Sequence, residues 1–308
     1  MGVLSLIPFN SSIIVDSQQI SDLIHIAKSS LAETGPTSES AALCLAAWLV
    51  RPDLEDSQLK PFVTWSIEAL DNFSPSSSGI FQTLGIFRTL LTILKVSTTD
   101  RSNLLSIMEP LYPVVLKISG SQQSNLLLRK YIIKWWTRLG RLYLAPRVVP
   151  WRYHRGRRSL NDNLKQSTTL RTQKIESNEI SSPDDVRRMQ REDFFIVPDQ
   201  VEEAMGHVIS ALTDSFTPVR WSAAKGVGRL TERLPAICAD DVLDALLKLF
   251  EDEEKDNDWH GASLALAELA RRGLLLPHRL PDVIPKIILA INVSLCYWNI
   301  FSLLLALN

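Results

Sequence analysis

The sequence predicts an all-α fold, an α-solenoid of repeated helix pairs carrying a polar insertion. Three observations predict it. Apolar residues recur every three or four positions along most of the chain, no stretch alternates as a strand would, and two segments repeat one another. Thr217–Pro235 reads TPVRWSAAKGVGRLTERLP and Asn257–Pro277 reads NDWHGASLALAELARRGLLLP. When Trp221 is laid on Trp259, 38 residues on, Ala223-Ala224 falls on Gly261-Ala262. That period, with one small-residue-rich helix per copy, is of the HEAT and armadillo kind. Such a unit cannot bury its apolar face alone, so neighbours must stack.

The elements follow in order. Asp16 or Ser17 can cap a helix with Ile20, Leu23, Ile24, Ala27 and Leu31 on one face, and Gly35-Pro36 ends it. Ser38–Val50 follows, with Ala42, Leu45, Ala46 and Leu49 inward, and Arg51-Pro52 stops it. Leu59–Phe73 and Ile80–Val96 are two more periodic runs, then single helices near Ser102–Ser119 and Asn125–Leu144. Periodicity resumes near Val197 with Val201, Met205, Val208 and Leu212. In the first repeat copy Val219, Ala223, Val227, Leu230 and Leu234 form the inward stripe and leave Arg220, Lys225 and Arg229 off it. Asp240 or Asp241 can cap the next helix, whose stripe is Val242, Leu246 and Leu249, before the acidic break Glu251–Asp258. Gly226 and Gly228 each cost about 1 kcal/mol inside a helix, which close approach of a neighbouring helix would offset. That structural reading is favoured over a phosphate loop, because GVG lies mid-helix and no third glycine follows at the required spacing.

Composition narrows the function classes. The 308 residues are 45% hydrophobic and 22% charged with formal net charge −1, so a large core is available and no overall nucleic-acid bias exists. Cys44, Cys238 and Cys296 are widely spaced, which suggests neither a disulfide framework nor a zinc site and fits a reducing compartment. Met1–Val15 is apolar but has no cationic start and contains Pro8 and Asn10, unlike a secretory signal. From Arg129 to Lys174 thirteen Lys or Arg face one acid, Asp162, and the run WRYHRGRR from Trp151 to Arg158 concentrates charge with aromatics. Ser159–Asp185 is too polar to offset its ordering entropy and reads as an exposed, disordered insertion. The organisation expected is therefore a helical-repeat segment 1–150, the basic element and insertion 151–198, a repeat segment 199–291, and a divergent apolar tail 292–308. Ile287–Asn308 contains no charged residue, which raises a membrane span; Asn292, Ser294, Asn299 and Ser302 weaken that reading, and the alternatives are a buried helix pair or a chain end that does not belong to the fold.

The runs VRWSAAKGVGRLTERLP and DNDWHGASLALAELARRGLLLPHRLPDVI, with LIPF near the start and WRYHRGRRSL between, resemble the tubulin-folding cofactor D family over roughly Leu4–Ala290. The resemblance implies a HEAT-repeat chaperone with no chemical active site and no cofactor, which binds β-tubulin. It also implies partnership with cofactors E and C and an Arf-like small GTPase in assembly and disassembly of the αβ-tubulin heterodimer, in the cytoplasm and at the microtubule cytoskeleton. Any GTPase activation would belong to that complex. After about Ile287 this chain departs from the family pattern and reads INVSLCYWNIFSLLLALN, so a truncated or alternatively spliced product of low solubility is expected.

No residue set reads as catalytic or metal-binding. The five histidines are scattered, HExxH and paired-cysteine spacings are absent, and Asp258-Trp259-His260 lacks a nucleophile. The candidates are partner contacts. Arg220, Trp221, Lys225 and Arg229, with Trp259 and His260 in the second copy, combine the aromatic and guanidinium groups that anchor interfaces, although the two tryptophans could instead fill equivalent core positions. Trp151, Arg152, Arg155 and Arg157 could steer an acidic partner, grip RNA, or form a solvated loop with its tryptophan tucked in. A general HEAT scaffold or transport adaptor, and an RNA-associated repeat protein, are the alternatives to the chaperone reading.

Overall fold

The computed structural model describes residues 17–51, 55–72, 77–97, 100–120, 125–146, 149, 151–152, 197–251 and 256–291. Every regular element among them is helical. The chain divides into two units, Met1–Tyr143 and Leu144–Asn308, and the fold class is the helical-repeat solenoid that the sequence predicts.

The first unit contains α1 (Ser17–Ser30), α2 (Pro36–Leu49), α3 (Lys60–Asp71), α4 (Ser77–Val96), α5 (Arg101–Met108), α6 (Tyr112–Gly120) and α7 (Leu126–Tyr143). Gly35 takes φ 69°, a left-handed value that suits glycine, and lets Pro36 open α2 immediately. The single helix expected over Ser102–Ser119 is in fact two. Pro110 lacks an N–H, so the backbone tightens into a short turn at Glu109–Leu111 and restarts at Tyr112.

Alternate helices carry the packing. α4 lies between α2 and α7, and these are the most extensive contacts of the unit. Arg88 of α4 reaches both neighbours, pairing with Glu39 at 2.8 Å and donating from Nε to Tyr131 Oη at 3.1 Å. Further along, Arg138 of α7 donates to the Leu91 carbonyl, so α4 and α7 run parallel. Trp135 and Trp136 fill the core edge to face at 5.0 Å, and Trp136 donates from Nε1 to Ser119 Oγ at 3.2 Å. α4 is long and apolar enough to cross a membrane by length and composition. Its Ile86, Phe87, Leu90 and Ile93 are fully buried within the unit.

The second unit contains α8 (Asp199–Ser210), α9 (Thr217–Thr231), α10 (Ala236–Lys248), α11 (Asp256–Arg272) and α12 (residues 280–291). α9 and α11 pack against each other more extensively than any other pair, with α8 and α10 beside them. α10 begins at Ala236 behind Pro235, so Asp240 and Asp241 do not cap it as expected; they lie a full turn inside. Pro235 fixes the entry angle without needing an N–H there. Asp240 and Asp244 instead receive Arg279, at 3.5 Å in the first case, which ties α10 to the start of α12.

Two glycines let the alternate helices close up. A Cβ on Gly85 of α4 would lie 2.7 Å from the Leu31 carbonyl oxygen at the α1–α2 corner. A Cβ on Gly261 of α11 would drive into the Leu212 carbonyl oxygen at the α8–α9 corner. The two units thus use the same device: a mid-helix glycine seated on the backbone of the preceding corner. Gly228 contributes similarly, since a Cβ there would meet Glu268 Cγ at 2.7 Å, in keeping with the expected close approach of a neighbour.

Polar clamps close both ends of the α9–α11 pair. Arg220, 6% exposed, donates from Nε to His260 Nδ1 at 3.1 Å and from Nη1 to Asn257 Oδ1 at 2.7 Å and the Asp214 carbonyl at 2.5 Å. Its Nη2 donates to Thr217 Oγ1 at 2.9 Å. At the other end Glu268 accepts from Arg271 at 2.7 Å and Arg272 at 2.8 Å, and Arg272 also reaches Glu232. Burial lowers the His260 pKa and the Arg220 charge lowers it further. Burial pushes the Glu268 carboxyl up, but its bonds to Arg271 and Arg272 outweigh that and hold it below the usual range.

Three outcomes follow for the folded chain. Gly261→Ala must displace backbone at Leu212 and is expected to cost about 2–4 kcal/mol in denaturant unfolding. Arg220→Ala leaves Asn257 and the Asp214 carbonyl without their donor and is expected to cost about 2–3 kcal/mol in the same assay. Both depressed groups hold stability that is present above their unfolded pKa values and lost as pH falls towards the folded ones. The melting temperature is therefore expected to drop on acidification, with His260→Gln removing the part of the drop that begins just below neutrality.

Candidate partner-binding surface

The uncovered face of α9 carries the side chains that could meet another molecule. Trp221, Lys225 and Arg229 follow at i, i+4 and i+8, which places them in one row along the helix. The Trp221 ring is 52% exposed, and Lys225 Nζ stands 4.0 Å from its centroid. Phe216, 44% exposed, precedes the first turn. A large exposed indole with Lys225 over its ring and Arg229 further along the row combines apolar contact area with charge, the pairing that fits a partner surface with carboxylates around an apolar hollow. Pro218 fixes the start of the helix beneath this row, and the stacking on α11 holds the helix rigid.

The structure separates the other candidates. Arg220 lies inside the unit rather than on its surface, because α11 stacks alongside α9 and covers that side of the helix. Trp259 is 5% exposed and packs its ring 6.3 Å from Phe250, so it and Trp221 are not equivalent despite their matched spacing. His260 is exposed, but its Nδ1 is taken up by Arg220. Of the Asp258-Trp259-His260 run, the indole is buried in the core and the imidazole Nδ1 accepts from Arg220. Trp151 donates from Nε1 to the Leu234 carbonyl at 3.2 Å, and Arg233 donates to the Leu144 carbonyl at 3.0 Å. The start of the basic element is thus pinned to the α9–α10 corner, with Arg152 half-buried next to it. Arg155 and Arg157 lie outside the described residues, as do the insertion 159–185 and the tail beyond residue 291. Among the described residues no group of three His, Cys, Asp or Glu side chains could hold a metal ion.

Sequence reasoning missed the Arg220 clamp. Its signal was available in the pairing of Arg220 with Asn257 and of Glu232 with Arg272, polar residues near the same ends of the two repeat copies.

Comparison with known proteins agrees with this architecture. A family model described as Tubulin-specific chaperone D-like, ARM repeats, matches residues 127–297, and the companion model, Tubulin-specific chaperone D-like, ARM repeat, matches residues 1–70. Tubulin-specific chaperone D of Dictyostelium discoideum is 29% identical over 292 residues, covering 88% of this chain and 19% of the relative. Tubulin-folding cofactor D of Schizosaccharomyces pombe is 26% identical over 243 residues, covering 71% of this chain and 19% of the relative. The chain thus spans 19% of the length of each of these curated relatives. No solved structure matches. With more than half its length matched by a single family model, the chain belongs to the tubulin-specific chaperone D-like family of ARM-repeat proteins.

Proposed function

We propose that this chain works as a tubulin-folding chaperone segment that acts by binding, not by chemistry, in the cytoplasm. Its client is β-tubulin, and the complexes it serves are those that assemble and dismantle the αβ heterodimer with cofactors E and C and an Arf-like GTPase. Family membership supports the tubulin client, and the exposed Trp221–Lys225–Arg229 row supplies the observation that carries the binding mode. Tubulin is a strongly acidic client, so Lys225 at the exposed indole and Arg229 along the same row would steer encounter and hold orientation, with affinity falling as salt rises. A non-enzymatic role fits two of the titratable side chains of α11: His260 is engaged by Arg220, and Glu268 by Arg271 and Arg272.

The test is capture of purified tubulin by the 308-residue chain. Trp221→Ala combined with Lys225→Glu is expected to weaken capture by roughly 10–100-fold, the loss that accompanies removal of an aromatic hot spot and reversal of a neighbouring charge. Helicity should stay unchanged, because neither side chain contributes to the core. Wild-type affinity in the double variant would refute the assignment of this row.

A further inference from the structure

The layer opposite the tight α9–α11 contact is open. α8 and α10 do not pack closely together, and between them runs a groove of about 340 Å³ floored by Val201, Met205, Ile209, Leu234, Val242 and Ala245. Along α8 the floor residues fall at i, i+4 and i+8, so the groove runs two helical turns in a straight line. That is the shape that accepts the apolar stripe of a third helix.

The rim has one sign of charge. Glu202 of α8 and Asp241 of α10 line the two walls and are exposed. α8 also bears Asp199 and Glu203, with His207 beside Glu203 and no Lys or Arg; on the α10 side Lys248 lies in the last turn, outside the groove lining, and Arg279 is engaged by Asp240, Asp244 and Asp282. Ile237, 73% exposed, extends the apolar surface one turn beyond Asp241.

Gly206 is the second, independent observation. It lines the groove in the middle of α8, where glycine is a poor helix former, and a Cβ built on it meets nothing within 4 Å. Gly85 and Gly261 are required by backbone packed against them; among the described residues nothing requires Gly206. A backbone arriving from outside would.

We propose that the α8–α10 groove is a docking site for an amphipathic helix that sets an apolar stripe on the floor and Lys or Arg side chains against Glu202 and Asp241. The site is independent of the Trp221 row and of the tubulin reading, and it selects a cationic partner where that row suits an acidic one.

Cys238 lies in the groove, half-buried, and reports its occupancy. The full chain is treated with iodoacetamide, and modification of the Cys238 peptide is followed by mass spectrometry with and without the probe acetyl-LKKLLKLLKKLLKL-amide. At a probe concentration about nine times its Kd the reaction is expected to slow about tenfold, as nine-tenths occupancy leaves one-tenth of the grooves open. The same peptide with glutamate for every lysine should give no protection, and Glu202→Lys with Asp241→Lys should abolish protection by the lysine peptide. Gly206→Gln should remove protection too, while raising the melting temperature by roughly 1–3 °C because glutamine favours a helix. That gain separates a blocked groove from a damaged fold. Equal rates with and without the lysine peptide, protection that survives in Gly206→Gln, or equal protection by the glutamate peptide would each overturn the proposal. So would protection that grows with chain concentration alone, which would make the occupant a second copy.

Discussion

The close approach of alternate helices is the constraint on which the rest of each unit depends. Where α4 meets the α1–α2 corner and α11 meets the α8–α9 corner, no room exists for even a methyl group, and glycine is the residue that fits. Glycine weakens an isolated helix by about 1 kcal/mol relative to alanine, so its presence at these places is offset by packing against the neighbouring turn rather than by local preference. Once α9 and α11 are that close, their ends need polar closure. Arg220 with His260 and Asn257 provides it at one end, and Glu232 with Glu268, Arg271 and Arg272 at the other.

Tight contact on one layer has a consequence on the other. Small residues along α9 and α11 draw those helices together, whereas α8 and α10 carry bulkier apolar side chains and stand apart with a groove between them. The two layers therefore present different chemistry. One offers an indole with the Lys225 ammonium over its ring, the other an apolar channel between carboxylates, and surfaces so different suit unlike partners.

Much of this was legible in the sequence. The offset that aligns Trp221 with Trp259 also aligns buried Ala224 with Ala262 and Val227 with Ala265, so the repeat predicted the stacked pair correctly. What it did not predict were features set by a second neighbour. A helix in a stack is buried on two sides, against its hairpin partner and against the next helix of its own layer, whereas a single apolar stripe reveals one. Arg220 lies on the second side, which is why its charge suggested solvent while the fold encloses it. The first turns of the two copies also differ, since Phe250 shelters Trp259 while the corresponding ring at Trp221 stands in solvent. Pro110 and Pro235 moved helix boundaries for local backbone reasons that periodicity does not register. In the candidate surface, Trp221, Lys225 and Arg229 were found from residue type and spacing, but only packing could separate them from Arg220 and Trp259.

The most direct measurement is photo-crosslinking with benzoylphenylalanine in place of Pro218, exposed on the first turn of α9, and separately in place of Ile237 on the opposite layer. With purified tubulin an adduct is expected from position 218 and none from position 237. An adduct from 237 with none from 218 would contradict it.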